Sequence, residues 1–145
     1  MSFLFSKDRV LVPIDFTEEA FTVQAQVLDF VEDASHLYVL HILPRLEPTE
    51  PGVIWQTLDD QTRKQNVEQA FFERFGDSQY KGIHFDVVFG DASTAIIDYA
   101  KSHQISLIVI PTHGRTGVWH FLNASIAERV VRLAPCPVLV LRRQS

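Results

Sequence analysis

Five short apolar runs punctuate the chain, at Val10–Ile14, Leu37–Ile42, Phe85–Phe89, Leu107–Ile110 and Val138–Leu141. They are dominated by β-branched and aliphatic side chains and show little polar alternation, the pattern of strands covered on both faces. Helical periods separate them. After the first run, Ala20, Val23, Val27 and Phe30 interleave with Phe21, Ala25, Leu28 and Val31 in a broad apolar stripe. Thr17 is placed to cap that helix, with Glu18 and Glu19 favourable at its positive end. Val67, Phe71 and Phe75 predict a second helix that stops at Gly76. Ala92, Ile96, Tyr99, Ala100 and His103 predict a third helix after Gly90-Asp91, with those side chains inward. Ala127, Val130, Val131 and Ala134 predict a fourth, stopped by Pro135. Pro44, Pro48 and Pro51-Gly52 lie between the second strand and the second helix and read as a mobile surface loop. Strands alternating with helices predict an α/β fold with a parallel sheet and right-handed crossovers. No internal repeat breaks this order, so residues 1–145 read as a single domain.

Composition narrows the function classes. The chain has 145 residues, 46% of them hydrophobic, enough for a core without disulfides. Cys136 is the single cysteine and sits in an apolar stretch, as a buried structural thiol in a reducing compartment would. Thirteen basic against 18 acidic residues give a net charge of −5, and no basic run exceeds a pair such as Arg142-Arg143. Nucleic acid is therefore not an expected partner. Residues 1–6 are too short for a secretory apolar core, and no apolar run approaches the length of a membrane span. A cytoplasmic protein is expected, with no membrane partner.

In an open α/β sheet, ligands bind beyond the carboxyl ends of the strands, where the strand order reverses. Three segments can meet there: Pro13-Ile14-Asp15-Phe16-Thr17, His41-Ile42-Leu43, and Pro111-Thr112-His113-Gly114-Arg115-Thr116-Gly117. The third leads to a helix that begins near Asn123-Ala124-Ser125, and so offers backbone N–H donors, hydroxyls and a positive helix end to an anion. A plainer reading has Gly114 and Gly117 supplying turn geometry only and Ser125 capping its helix. Asp15 can likewise either cap its own helix or accept a ribose hydroxyl.

At these residues the chain resembles the universal stress protein family. The likeness is carried by Val12-Pro13-Ile14-Asp15-Phe16-Thr17-Glu18, Leu40-His41-Ile42, Gly90-Asp91, Thr112 to Gly117, Ala124 to Val130, and Ala134-Pro135-Cys136-Pro137-Val138-Leu139-Val140. The resemblance implies a Rossmann-like five-stranded parallel sheet in the order 3-2-1-4-5, with helices on both faces. It also implies a homodimer through the last strand, Val138–Leu141, whose apolar edge would otherwise stay open. For the site it implies a stress-related regulatory module that binds ATP or AMP, with Mg as a companion ion. Pro13, Asp15, Ile42, Thr112, His113, Gly114, Arg115, Thr116, Gly117, Asn123, Ala124 and Ser125 would line the nucleotide.

ATP-binding members share G-x-x-G, nine residues, then G-S or G-T. Here Pro111 and Ala124 stand where two of those three glycines would be. Pro111 has no N–H, and the β-carbon of Ala124 opposes a close phosphate approach or a positive φ, a penalty of about 1 kcal/mol, or roughly fivefold in affinity. The alternative within the same family is a nucleotide-independent dimeric module with a protein partner. No catalytic residue stands out and an enzyme is not expected, a slow ATPase being left open by analogy with the fold alone. His36, His41, His113 and His120 lack metal-ligand spacing, so no metal site is expected. His41 and His113 are read as structural, Trp119 and Phe121 as packing under a loop, and Arg129 and Arg132 with Glu128 as a solvated helix face.

Overall fold

A computed structural model describes residues 6–45, 59–112 and 124–142. The elements alternate along the chain as β1 (Val10–Ile14), α1 (Glu18–Val31), β2 (Leu37–Leu43), α2 (Asp60–Arg74), β3 (His84–Phe89), α3 (Ala92–Ser102), β4 (Leu107–Thr112), α4 (Ala124–Leu133) and β5 (Val138–Arg142). All four strand contacts are parallel, and the sheet runs β3-β2-β1-β4-β5. The expected order 3-2-1-4-5 is the observed one.

Each strand turns alternate side chains to opposite faces. Val10, Val12 and Ile14 of β1 meet one layer, with Ala20, Phe21, Val27 and Val31 of α1 and Phe71 of α2. Leu11 faces the other, with Ile96, Ile97, Tyr99 and Ala100 of α3 and Ala127 and Val130 of α4. Phe71 stacks flat on Phe85, with ring centroids 3.9 Å apart.

Helix starts follow local chemistry. The amide of Ala20 donates to Thr17 Oγ1, that of Thr62 to Asp59 Oδ1, and that of Thr94 to Asp91 Oδ2, each satisfying an N–H with no intrahelical partner. Gly76 lies just beyond the cap residue Phe75 of α2, where a β-carbon would come within 2.9 Å of the Phe72 carbonyl oxygen.

Several side chains depart from their sequence-based placement. On α1 it is Gln24 that is buried, while Ala25 faces solvent, because the inward line runs through Ala20, Gln24, Val27 and Val31. Val131 is 53% exposed, since α4 turns Ala127 and Val130 to the sheet. His103 is the half-buried C-cap of α3 and stacks on Tyr99 at 3.7 Å. Arg129 is not merely solvated: its guanidinium donates to Ser93 Oγ at 3.0 Å and lies 3.4 Å from Asp91 Oδ2, joining α4 to the start of α3. Cys136 is partly buried, and burial pushes its thiol pKa up. Pro48, Pro51-Gly52, Trp119, His120 and Phe121 lie outside the described residues. Among the described residues, no helix is long and apolar enough to cross a membrane.

Candidate functional site

The strand order reverses between β1 and β4: α1 carries the chain from β1 to β2 on one side, whereas β4 lies on the other. The hydrogen-bonded ladder between these two strands also ends early. β1 stays in register with β2 from Val10↔Leu37 to Ile14↔His41, but its register with β4 covers only Val10↔Leu107 and Leu11↔Ile108. β4 meanwhile continues beside β5 as far as Thr112↔Arg142. Pro13 and Pro111 stand beyond the end of that ladder, and neither has an N–H to extend it. The carboxyl ends of these two strands flank the switch point, the place where open α/β sheets form their ligand crevices.

The rim on the β1 side is built by residues 14–17. Asp15 Oδ1 accepts from the Thr17 amide at 3.2 Å and from its hydroxyl at 2.6 Å. The same hydroxyl oxygen accepts from Ala20, so Thr17 caps the helix and Asp15 orients the cap. Phe16 between them has φ 61°, in the left-handed region that an aromatic residue seldom occupies. Its ring meets His41 edge-on at 4.8 Å and Phe21 at 5.5 Å. Strained backbone held by such packing is characteristic of binding loops.

His41 crosses from β2 to this rim. Its Nδ1 lies 2.9 Å from the Ile14 carbonyl oxygen, which can only accept, so Nδ1 carries the proton. Burial holds its pKa below the usual histidine value, outweighing the bond to Ile14 and the charge of Asp15, which act the other way. The ring is thus a neutral imidazole whose Nε2 is an acceptor.

Pro13, Asp15 and Ile42 come together at this end of the sheet, with Pro13 and Ile42 buried and Asp15 half-buried. His41-Ile42-Leu43, Pro111 and Thr112 belong to the strands themselves rather than to the loops after them. Ala124 and Ser125 open α4 and are exposed. His113, Gly114, Arg115, Thr116, Gly117 and Asn123 lie outside the described residues. Sequence reasoning missed the role of Phe16. The available signal was a sharp strand-to-helix turn with no glycine to take the left-handed position. Among the described residues, no cluster of three or more His, Cys, Asp or Glu could hold a metal ion.

Comparison with known proteins gives one consistent picture. The model of the universal stress protein family matches residues 7–142. The universal stress protein MJ0531 of Methanocaldococcus jannaschii is 24% identical over 140 residues, covering 93% of this chain and 82% of that protein. MJ0577 of the same organism, also a universal stress protein, is 23% identical over 164 residues and aligns with 100% and 99% of the two chains. Among solved structures, the universal stress protein UspA from Lactobacillus plantarum superposes with a TM-score of 0.66 at 21% identity, covering 94% of this chain and 99% of the other. At that identity the superposition speaks for the fold.

Proposed function

Because the chain belongs to the universal stress protein family, we propose that it is a stress-related regulatory module of the cytoplasm, a homodimer that binds ATP or AMP in the crevice between β1 and β4. The observation that carries this reading is the reversal of strand order between β1 and β4, where their hydrogen-bonded ladder stops after Leu11↔Ile108. Pro13 and Ile42 offer apolar contacts for a base, and Asp15 offers a carboxylate to ribose hydroxyls. The first turn of α4, at Ala124-Ser125, presents a positive helix end to phosphate oxygens, with Mg accompanying the triphosphate. Thr112, Asn123 and the segment from His113 to Gly117 complete the proposed binding set.

The role is binding and signalling rather than catalysis. Dimerisation would use β5, a strand with one neighbour in the sheet, where Leu139 is 44% exposed. A second reading, a nucleotide-independent interaction module, is favoured by Pro111 inside β4 and by Ala124 in place of a glycine at the start of α4.

Mass spectrometry of heat-extracted protein and thermal shift with Mg-ATP decide between them. A ligand bound only by the folded state raises the melting temperature. Recovered nucleotide, with a shift that is lost in Ser125→Ala, supports the sensor. An empty protein indifferent to millimolar ATP and AMP favours the interaction module.

A further inference from the structure

The other edge of the sheet carries a separate feature. Among the described residues, β3 has a strand neighbour on one side only, β2. A cleft of about 490 Å³ lies against it. Four consecutive β3 residues, Asp86 to Phe89, line this opening. Neighbouring strand residues point to opposite faces, so an opening that all four border runs along the strand's backbone edge. The flanks come from the two faces: Lys64 of α2 on one, and Asp98, Tyr99 and Ser102 of α3 with its cap residue His103 on the other.

The two flanks differ in chemistry. On the α2 side, beyond the Lys64 that lines the cleft, Phe72 is 46% exposed and its ring meets Phe85 of β3 edge-on at 5.9 Å. On the α3 side, the Tyr99 hydroxyl donates to Asp86 Oδ2, and Asp98 is exposed. Burial, and then the bond to Asp86, raise the Tyr99 pKa, so its proton stays in place as a donor. Asp86 Oδ1 has no hydrogen-bond partner among the described residues. The β3 sequence from His84 to Phe89 carries neither the proline nor the lysine that commonly protects an open edge.

We infer that the β3 edge is a docking groove for an extended polypeptide whose side chains alternate between apolar and basic. The backbone of such a segment adds a sixth strand beside β3. Its apolar side chains fall on the Phe72 flank and its basic ones on the flank of Asp86 and Asp98. Six residues of β3 offer about 20 Å of edge, enough for a peptide of similar length. The groove lies across the sheet from β5 and does not depend on the nucleotide reading.

The test uses the whole chain and a fluorescein-labelled octapeptide alternating valine and lysine, read by fluorescence anisotropy and by amide hydrogen exchange. The inference expects saturable binding, slowed exchange at β3 amides, and at least a tenfold loss of affinity in Asp98→Lys and in Phe72→Ser, two exposed positions whose variants are checked for native circular dichroism. A valine–glutamate peptide, and the valine–lysine peptide with N-methylated amides, should not bind. Equal binding by either control overturns the inference, as does absence of protection at β3. Displacement of the peptide by spermidine at equal concentration would instead assign the groove to small organic cations. Self-association abolished by Asp98→Lys without peptide binding would assign it to a second copy.

Discussion

Gln24 offers the sharpest test of how the core is held together. It is 0% exposed on the inward face of α1, and neither amide atom has a hydrogen-bond partner among the described residues. Its surroundings are apolar: Ala20, Phe21, Val27 and Val31 are the other buried positions on this helix. Burying an amide without a partner costs about 1–3 kcal/mol by mutational measure. Leucine has a similar volume, a better helix propensity and no polar atom. Gln24→Leu removes the penalty without opening a cavity and should stabilise the fold by about 1–3 kcal/mol. For a chain of this size each kcal/mol moves the melting temperature by about 2–4 °C, so a rise on the order of 3–10 °C is expected. Urea unfolding at fixed protein concentration should show a higher midpoint with an unchanged slope. Gln24→Ala should instead lose stability, because it removes packed volume as well as the amide. A Gln24→Leu protein destabilised by 1 kcal/mol or more would refute the reasoning. It would mean that the amide is hydrogen-bonded in solution.

His41→Asn keeps a donor for the Ile14 carbonyl and removes a titrating group. Since burial lowers the folded-state pKa of His41 below its ordinary 6.5, the unfolded chain takes up the proton first, and stability should fall as the pH drops below about 6.5. Urea midpoints at pH 7.5 and 5.5 should therefore differ more in the parent than in the variant. Ala124→Gly should tighten Mg-ATP binding about fivefold by isothermal titration, by removing the β-carbon at the start of α4. An unchanged affinity would locate the phosphates away from that helix end. Thr17→Ala deletes the α1 cap and should cost about 1 kcal/mol in urea unfolding. A loss under about 0.3 kcal/mol would mean that Asp15 takes over the cap.

The strands were legible because parallel strands covered on both faces must be continuously apolar, and those runs have few other uses in a chain of this charge. Their ends were less legible. β4 extends through Pro111 to Thr112, although proline argues against a ladder position, because at that point its ladder is to β5 and no longer to β1. On α1, the side-chain type of Ala25 outweighed its angular position, and Gln24 was passed over although it lies between Ala20 and Val27 on one helical face. Val131 shows the converse: an apolar residue four places from Ala127 is turned outward, because the layer beneath α4 takes Ala127 and Val130. In the site, Pro13, Asp15 and Ile42 could be placed from chain order alone, since they stand at the ends of two strands. The bond from His41 to Ile14 could not. It joins residues 27 positions apart and exists only once β1 and β2 take their register.

The two edges and the switch point divide the molecule's chemistry in a way that follows from the topology. A parallel sheet with helices on both faces leaves backbone groups available in few places: the two outer strands and any gap within the sheet. Here the β1–β4 ladder stops after Leu11↔Ile108, and Pro13 and Pro111 withhold donors beyond that point. β2 keeps its full register with β1 past that point, and His41 fastens the end of β1 to it. At the switch point β1 is therefore anchored through β2, while β4 is held through β5. Arg129 in turn ties α4 to Ser93 and Asp91 at the start of α3, the helix that flanks β3, so the two sides of the sheet are mechanically joined through side chains as well as strands.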